Sequence, residues 1–424
     1  MFGRIMPSPG PPRVLALAQL ANSIGDGAYY VCSALYFIRI VGLSPAQVGF
    51  GLTLAWAVGF VASVPLGHLA DRRGPRGTAV LLAVATALAV GSFLFVRSFP
   101  LFVLVACAYA TCQCGLAAAR QALLAGLVDR ARRTGVRARL QATSNAGLAV
   151  GAASGGAALH LDTEAAYLAV LAMDALSFLL AALILLRLPA VPATPAAPAG
   201  EPALAVLRDR PYALISFLNM IALLNMPILS LVIPLWVVQR TQAPSWTVSA
   251  LLVVNTLAVV LFQVRVARRV TDLGSASASV RLAGAVMFAA CVVFALSSAV
   301  SGAWAAGLVL LLGACLQVAG EMLQASGAWE IGFDLAPAGR QGQYQGFFGS
   351  GAAVARMLGP LLLTTLIVVW GTPGWLVMGG VFLVSGLATG PAVHWARRTR
   401  PDPADSTDPT GPAGPVDPEG ARTS

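Results

Sequence analysis

The sequence predicts an all-α polytopic membrane protein with twelve transmembrane helices, and three observations carry that prediction. Of 424 residues, 58% are hydrophobic and only 10% are charged, whereas soluble domains run at about 45–50% apolar and about 25% charged; mean hydropathy is +0.79. Apolar runs of roughly the 20 residues that cross a hydrocarbon core recur along the whole chain. The arginines, finally, crowd into every second gap between those runs. This balance excludes a soluble multidomain enzyme, a disordered chain and a disulfide-rich secreted protein.

The spans follow in order. The first, 14–38, is too long for a signal-peptide core and shows no cleavage site, so it stays as a helix. The turn Gly42-Leu43-Ser44-Pro45 leads into the second, 46–66. The runs 78–97, 101–125, 140–159 and 165–187 complete a first set of six. The second set is 212–238, 246–264, 281–299, 303–326, 345–369 and 374–395, the last introduced by Gly371-Thr372-Pro373-Gly374. Lipid offers an exposed backbone no hydrogen bonds, so these runs must be helical.

All 27 basic residues are Arg, a usage that, with abundant Ala, Gly and Pro, points to a GC-rich, bacterial genome. With the N-terminus in the cytoplasm, 22 of the 27 fall in cytoplasmic segments, Arg137, Arg139 and Arg281 among them, and only Arg39, Arg97 and Arg240 lie opposite. The positive-inside rule therefore puts both termini in the cytoplasm of a multi-pass inner (plasma) membrane protein. The net charge of +10 sets topology and is no nucleic-acid footprint.

The chain divides into a first six-helix unit (1–187), a Pro- and Ala-rich cytoplasmic linker of polyproline-like character (188–211), a second six-helix unit (212–396) and a disordered cytoplasmic tail (397–424). Pro45 and Pro244, and Gly74 and Gly274, recur at offsets of 199 and 200, as in a parallel repeat about an axis normal to the membrane.

After the second span the chain reads Gly67-His68-Leu69-Ala70-Asp71-Arg72-Arg73-Gly74-Pro75-Arg76. This resembles the signature loop of the major facilitator superfamily in sequence, in helix number and in membrane side. The resemblance implies two six-helix bundles around a cavity that opens alternately to each face. It also implies that Asp71 meets the N-terminal end of helix 11 and helps hold a cytoplasmic gate shut, with Asp129 as a second acid. The family's basic partner of that Asp is replaced by Pro75, with Arg76 as substitute one residue on; a tight, positively charged turn is the plainer reading of the same loop. His68 reads as a solvated loop residue. In the fifth span Gly147, Gly151, Gly155 and Gly156 resemble the family's antiporter motif with Ala152 in place of its Pro. The four-residue spacing equally forms a smooth helix-packing stripe. The fourth span departs from the pattern of proton-coupled exporters, which carry a mid-helix Arg four residues before a Gly: here Thr111 precedes Gly115. Arg120 lies near the cytoplasmic end, placed to snorkel.

Charges within spans cost about 2.5–3.5 kcal/mol each on insertion scales, so each needs a reason. Asp26 sits mid-way along the first span. With Asn22, Tyr29 and Ser33 it forms a polar face at i, i+4, i+7 and i+11. Two readings stand: a proton carrier at a cavity, or a buried carboxyl held by neighbours. Gln317, Glu321 and Gln324 repeat the pattern in the tenth span; Glu321 either couples to transport or pairs with Arg356 of the eleventh. Asn225, among Asn219, Pro227 and Pro234 in the seventh, matches Asp26 in depth and reads as a substrate contact. Asp174 reads as structural.

The six Cys all lie in spans, Cys112-Gln113-Cys114 is not a zinc pattern, and the three His are too dispersed for a metal site. No cofactor is expected, and no catalytic constellation or Walker-type phosphate loop is present. The reading is a secondary transporter in the lipid bilayer, monomeric, that exports small hydrophobic or cationic compounds in exchange for protons. An importer or facilitator of a small metabolite is the alternative; a non-transporting receptor or scaffold is more remote, and a membrane-embedded enzyme more remote still.

Overall fold

In the computed structural model, which describes residues 6–7, 9–194 and 203–399, the chain is all-helical. Twelve long helices follow one another: α1, Pro11–Leu35, prolonged by a π-helical turn Tyr36–Ile40; α2, Pro45–Arg73; α3, Pro75–Phe95; α4, Phe99–Leu127; α5, Arg133–Leu161; α6, Glu164–Leu185; α7, Arg210–Arg240; α8, Trp246–Ala267; α9, Leu273–Leu296; α10, Ala303–Asp334; α11, Ala338–Val369; and α12, Thr372–Arg398. Ten of them are long and apolar enough to cross a membrane. The other two, α1 and α5, carry the polar side chains described below, which dilute their hydropathy.

Local chemistry sets the helix starts. Ser44 and Gln47 form a reciprocal capping box at α2, with Pro45 at its first position. Asp272 caps α9 by accepting from the N–H groups of Gly274 and Ser275 (2.7 and 3.0 Å), and Thr163 and Asp209 cap α6 and α7. Between α2 and α3 the chain reverses at Gly74, whose φ of +89° suits glycine. In α7 the helix is interrupted at Leu224 and Asn225, where Pro227 supplies no N–H to the Leu223 carbonyl, and continues through the π segment Ile228–Val232. In α11, Pro360 supplies no N–H to the carbonyl of Arg356, and a π segment follows at Thr364–Val369.

Several boundaries differ from the sequence reading, mostly at the arginine-rich ends. Helix α5 starts at Arg133 rather than 140, and α9 at Leu273 rather than 281, so Arg137, Arg139 and Arg281 are helical residues. Helices outrun the apolar stretch wherever their last turns can reach polar surroundings. The linker is not simply extended: Ala205–Arg208 forms a 3₁₀ turn, held by Gln343, which accepts from the Val206 N–H (3.1 Å) and donates to the Ala203 carbonyl (2.7 Å). Arg397 and Arg398 belong to α12 rather than to a disordered tail; the remainder of that expected tail, 400–424, lies outside the described residues.

The largest apolar core is drawn from α1–α6, joined by Phe333 of α10 and Ala353 of α11. Further cores come from α7–α12, one joined by Val64 of α2. Helices α1 and α5 touch along Gly147, Gly151 and Gly155: a Cβ on Gly151 would lie 2.0 Å from the Ile24 carbonyl oxygen. Gly156 takes no part in this stripe, since it faces open space.

Candidate functional site

One cavity of about 600 Å³ lies between α1–α6 and α7–α12. Asp26, Asn22, Glu321, Gln317, Gln324, Asn225 and Arg356, read separately from three spans and one lone Arg, all line it.

Asp26 is the centre of a hydrogen-bonded group. Asn22, one turn before it on α1, donates to one carboxyl oxygen (2.5 Å), and Gln113 of α4 donates to the other (3.3 Å). The Asn22 carbonyl in turn accepts from Arg120 (2.8 Å), which also donates to Gln19 (3.3 Å). Arg120 therefore turns into the cavity instead of snorkelling to the membrane surface, because α1 offers it two amide acceptors. The cavity face of α1 is Gln19, Asn22, Asp26 and Tyr30. Tyr29 and Ser33, placed on that face by spacing, do not line the cavity; Tyr29 packs against Tyr109 and Phe93 instead.

Across the cavity Glu321 accepts from Asn255 of α8 (3.3 Å). It makes no ion pair with Arg356: the ion pairs among the described residues are Arg39–Asp162, Arg97–Glu164 and Arg130–Asp334. Arg356 lies over the Trp56 ring, 4.4 Å from its centroid, and 6.0 Å from that of Tyr30. Gln324 donates to Asn219 (2.8 Å). The buried Gln317 Oε1 has no partner, and Asn225 donates to the Ala222 carbonyl in the break of α7 (2.6 Å). Asp174 stays outside the cavity, buried behind Gly25 and bonded by Ser177 (3.3 Å).

Arg137, Gln113, Asn255 and Trp329 also line the cavity, and sequence reading missed them. In sequence Arg137 reads as a cytoplasmic-loop residue. The signal that could have found it is a polar stripe at helical spacing (Arg137, Gln141, Ser144 and Asn145) entering the fifth span.

The polar contacts joining the two sets of helices gather where α2, α4 and α10 end and α5 and α11 begin. The Asp71 carboxylate accepts from the N–H groups of Gly342 and Gln343 at the start of α11 (2.7 and 2.8 Å), meeting free donors and the positive helix end together. Gly67 permits this approach, since a Cβ there would lie 2.1 Å from the Gly342 carbonyl oxygen. Arg130 pairs with Asp334, Thr134 donates to Glu330, and His68 lies 3.3 Å from the Gln343 amide rather than free in solvent. Arg76 does not serve Asp71; it donates to the Leu186 carbonyl, and Arg340 supplies the positive charge near Asp71. Arg72 is exposed. Asp129 is exposed too and makes no side-chain hydrogen bond or ion pair, its place in the link being taken by Arg130. Among the described residues no cluster of His, Cys, Asp and Glu could hold a metal.

Residues 15–329 match the Major Facilitator Superfamily. The chain belongs to that superfamily. It is a multi-pass membrane transporter and not an enzyme. Solved structures of similar fold include a bacterial homologue of the iron transporter ferroportin in an outward-facing state (16% identity, 91% of this chain and 99% of that one, TM-score 0.73). Others are the human organic anion transporter MFSD10 (17%, 90% and 100%, 0.68) and the proton:xylose symporter XylE (14%, 92% and 95%, 0.64). No curated protein matches the transporter in sequence.

Proposed function

We propose that the transporter is proton-coupled, with Asp26 as the proton-carrying group, and that it moves small polar metabolites by alternating access. In this reading residues 1–187 and 212–396 act as two six-helix bundles. The contacts around Asp71 close the cytoplasmic side, leaving the cavity open outward. The observation that carries it is the Asp26 group itself: a carboxyl inside a cavity, bonded through Asn22 to Arg120 and directly to Gln113. Taking up or losing a proton there changes the charge of the lining and so biases the two conformations.

The sequence favours export of hydrophobic or cationic compounds in exchange for protons. The lining favours the second reading, uptake or facilitated passage of a small polar metabolite, because amides recur around the cavity and three arginines face two acids. Proteoliposomes with an internal pH dye, challenged with a panel of small metabolites under imposed pH gradients, test the coupling. Cargo-dependent proton movement is expected in the native protein and its loss in Asp26→Asn. Flux indifferent to both gradient and substitution would sink the proposal.

A further inference from the structure

Two of the three arginines that line the cavity lack an acceptor. Arg120 is engaged by Gln19 and Asn22. Among the described residues Arg137 and Arg356 make no side-chain hydrogen bond or ion pair, and the Nε of Arg137 is buried without a partner. Each rests on a ring instead: Arg137 on Trp329 at 5.1 Å, Arg356 on Trp56 at 4.4 Å. A ring face attracts the cation but takes none of the guanidinium's five N–H donors. The cavity acids form no ion pair with them: Asp26 and Glu321 are bonded to amides. Three guanidiniums against two carboxyls leave the lining net positive, and more so when either acid binds a proton.

We propose, resting on the reading of this cavity as the transport site, that the cargo is a small organic oxyanion. Arg356 holds its charged group, Trp56 and Tyr30 pack against its body, and Arg137 is a second anchor nearer the closed end. Arg137 lies one turn past Thr134, which bonds Glu330 across the closure. Arg356 lies 14 residues beyond Gly342, about 21 Å at 1.5 Å per residue. An anion entering from the open side therefore meets Arg356 first. Both arginines reach a ring on the opposite set of helices, so an anion that takes over their donors acts on contacts that bridge the two sets.

The coupling has a sign. Arg356 faces Asp26 and Tyr30 from α1 and Tyr109 and Cys114 from α4; Asp26 also faces Arg120 from α4 and Asp174 from α6. Protonating Asp26 removes a negative charge facing Arg356 and Arg120. Proton and anion then favour each other's binding, reciprocally, and travel in the same direction, not in exchange.

The test uses three probes of similar size whose charges hold steady across the pH range: benzenesulfonate, neutral benzenesulfonamide and phenyltrimethylammonium. Binding to the purified full-length transporter is read by tryptophan fluorescence at pH 5.5 and pH 7.5. Benzenesulfonate is expected to bind best, and more tightly at the lower pH. Arg356→Gln should weaken it about tenfold or more, Arg137→Gln less, and Arg356→Lys should retain part of the affinity, which separates lost charge from misfolding. Asp26→Asn should bind at both pH values as the native protein does at pH 5.5. Labelled benzenesulfonate should also accumulate in proteoliposomes, which distinguishes cargo from a statically bound anion such as a lipid headgroup. Preference for phenyltrimethylammonium, equal binding of all three probes, or binding without accumulation overturns the proposal. Loss of proton coupling with charge selectivity intact would instead remove the role of Asp26 and leave the anion site standing.

Discussion

Gly151 decides how closely α1 and α5 approach, and so where the Asp26 face of α1 sits. The obstacle to any side chain there is backbone, the Ile24 carbonyl, with which a Cβ would clash at 2.0 Å; no rotamer change relieves it. Gly151→Ala must push the helices apart, and overpacking of that kind costs roughly 1–3 kcal/mol. A clear drop in the detergent-solubilised melting temperature is expected. Gly156→Ala, which places its methyl in open space, should leave the temperature unchanged. Equal behaviour of the two variants would remove the packing role. The repeat of Gly147, Gly151 and Gly155 was legible at four-residue spacing, but which glycine meets backbone was not, because that depends on the rotation of α1 against α5.

At the scale of elements, α5 shows where sequence reading stops. Its apolar part was plain from 140 onward, yet Arg137 and Arg139 resembled the loop arginines that fix topology. Hydropathy averages over all faces of a helix, so a polar stripe facing a cavity looks like a helix end. Helix α1 escaped this error because Asn22 and Asp26 sit amid apolar neighbours. What no single span could disclose is partnership between helices: Glu321 meets Asn255 of α8 rather than Arg356, and Arg120 meets α1 rather than lipid headgroups. The cavity face assigned to α5 has a periodic consequence. In a Cys-free background, single Cys at 141, 145 and 148 should react with a membrane-impermeant thiol reagent, because those positions line the cavity. Cys at 142 or 143, buried positions outside the cavity lining, should not. Labelling without helical periodicity would show that this face is not turned to the cavity.

For the whole molecule, the proposed closure of the cytoplasmic side rests on a few contacts of unequal strength. The Arg130–Asp334 pair is largely solvent-exposed on its Arg side (63%), and exposed pairs contribute about 0.2–1 kcal/mol. Asp71 is buried at 8% exposure and accepts two main-chain N–H bonds, each charge-assisted and typically worth about 1.5–3 kcal/mol. An Asn in its place keeps one acceptor but turns an NH₂ group toward a backbone N–H, losing the charge and opposing two donors. Since about 1.4 kcal/mol shifts a two-state equilibrium tenfold, Asp71→Asn should raise labelling of a cavity Cys from the cytoplasmic face by about tenfold or more, and Arg130→Ala by less than about fivefold. Inside-out vesicles carrying Gln141→Cys in a Cys-free background give the readout. The order of the two effects is the test: labelling that responds more to Arg130 than to Asp71 would place the closing energy in the surface ion pair rather than at the N-terminus of α11.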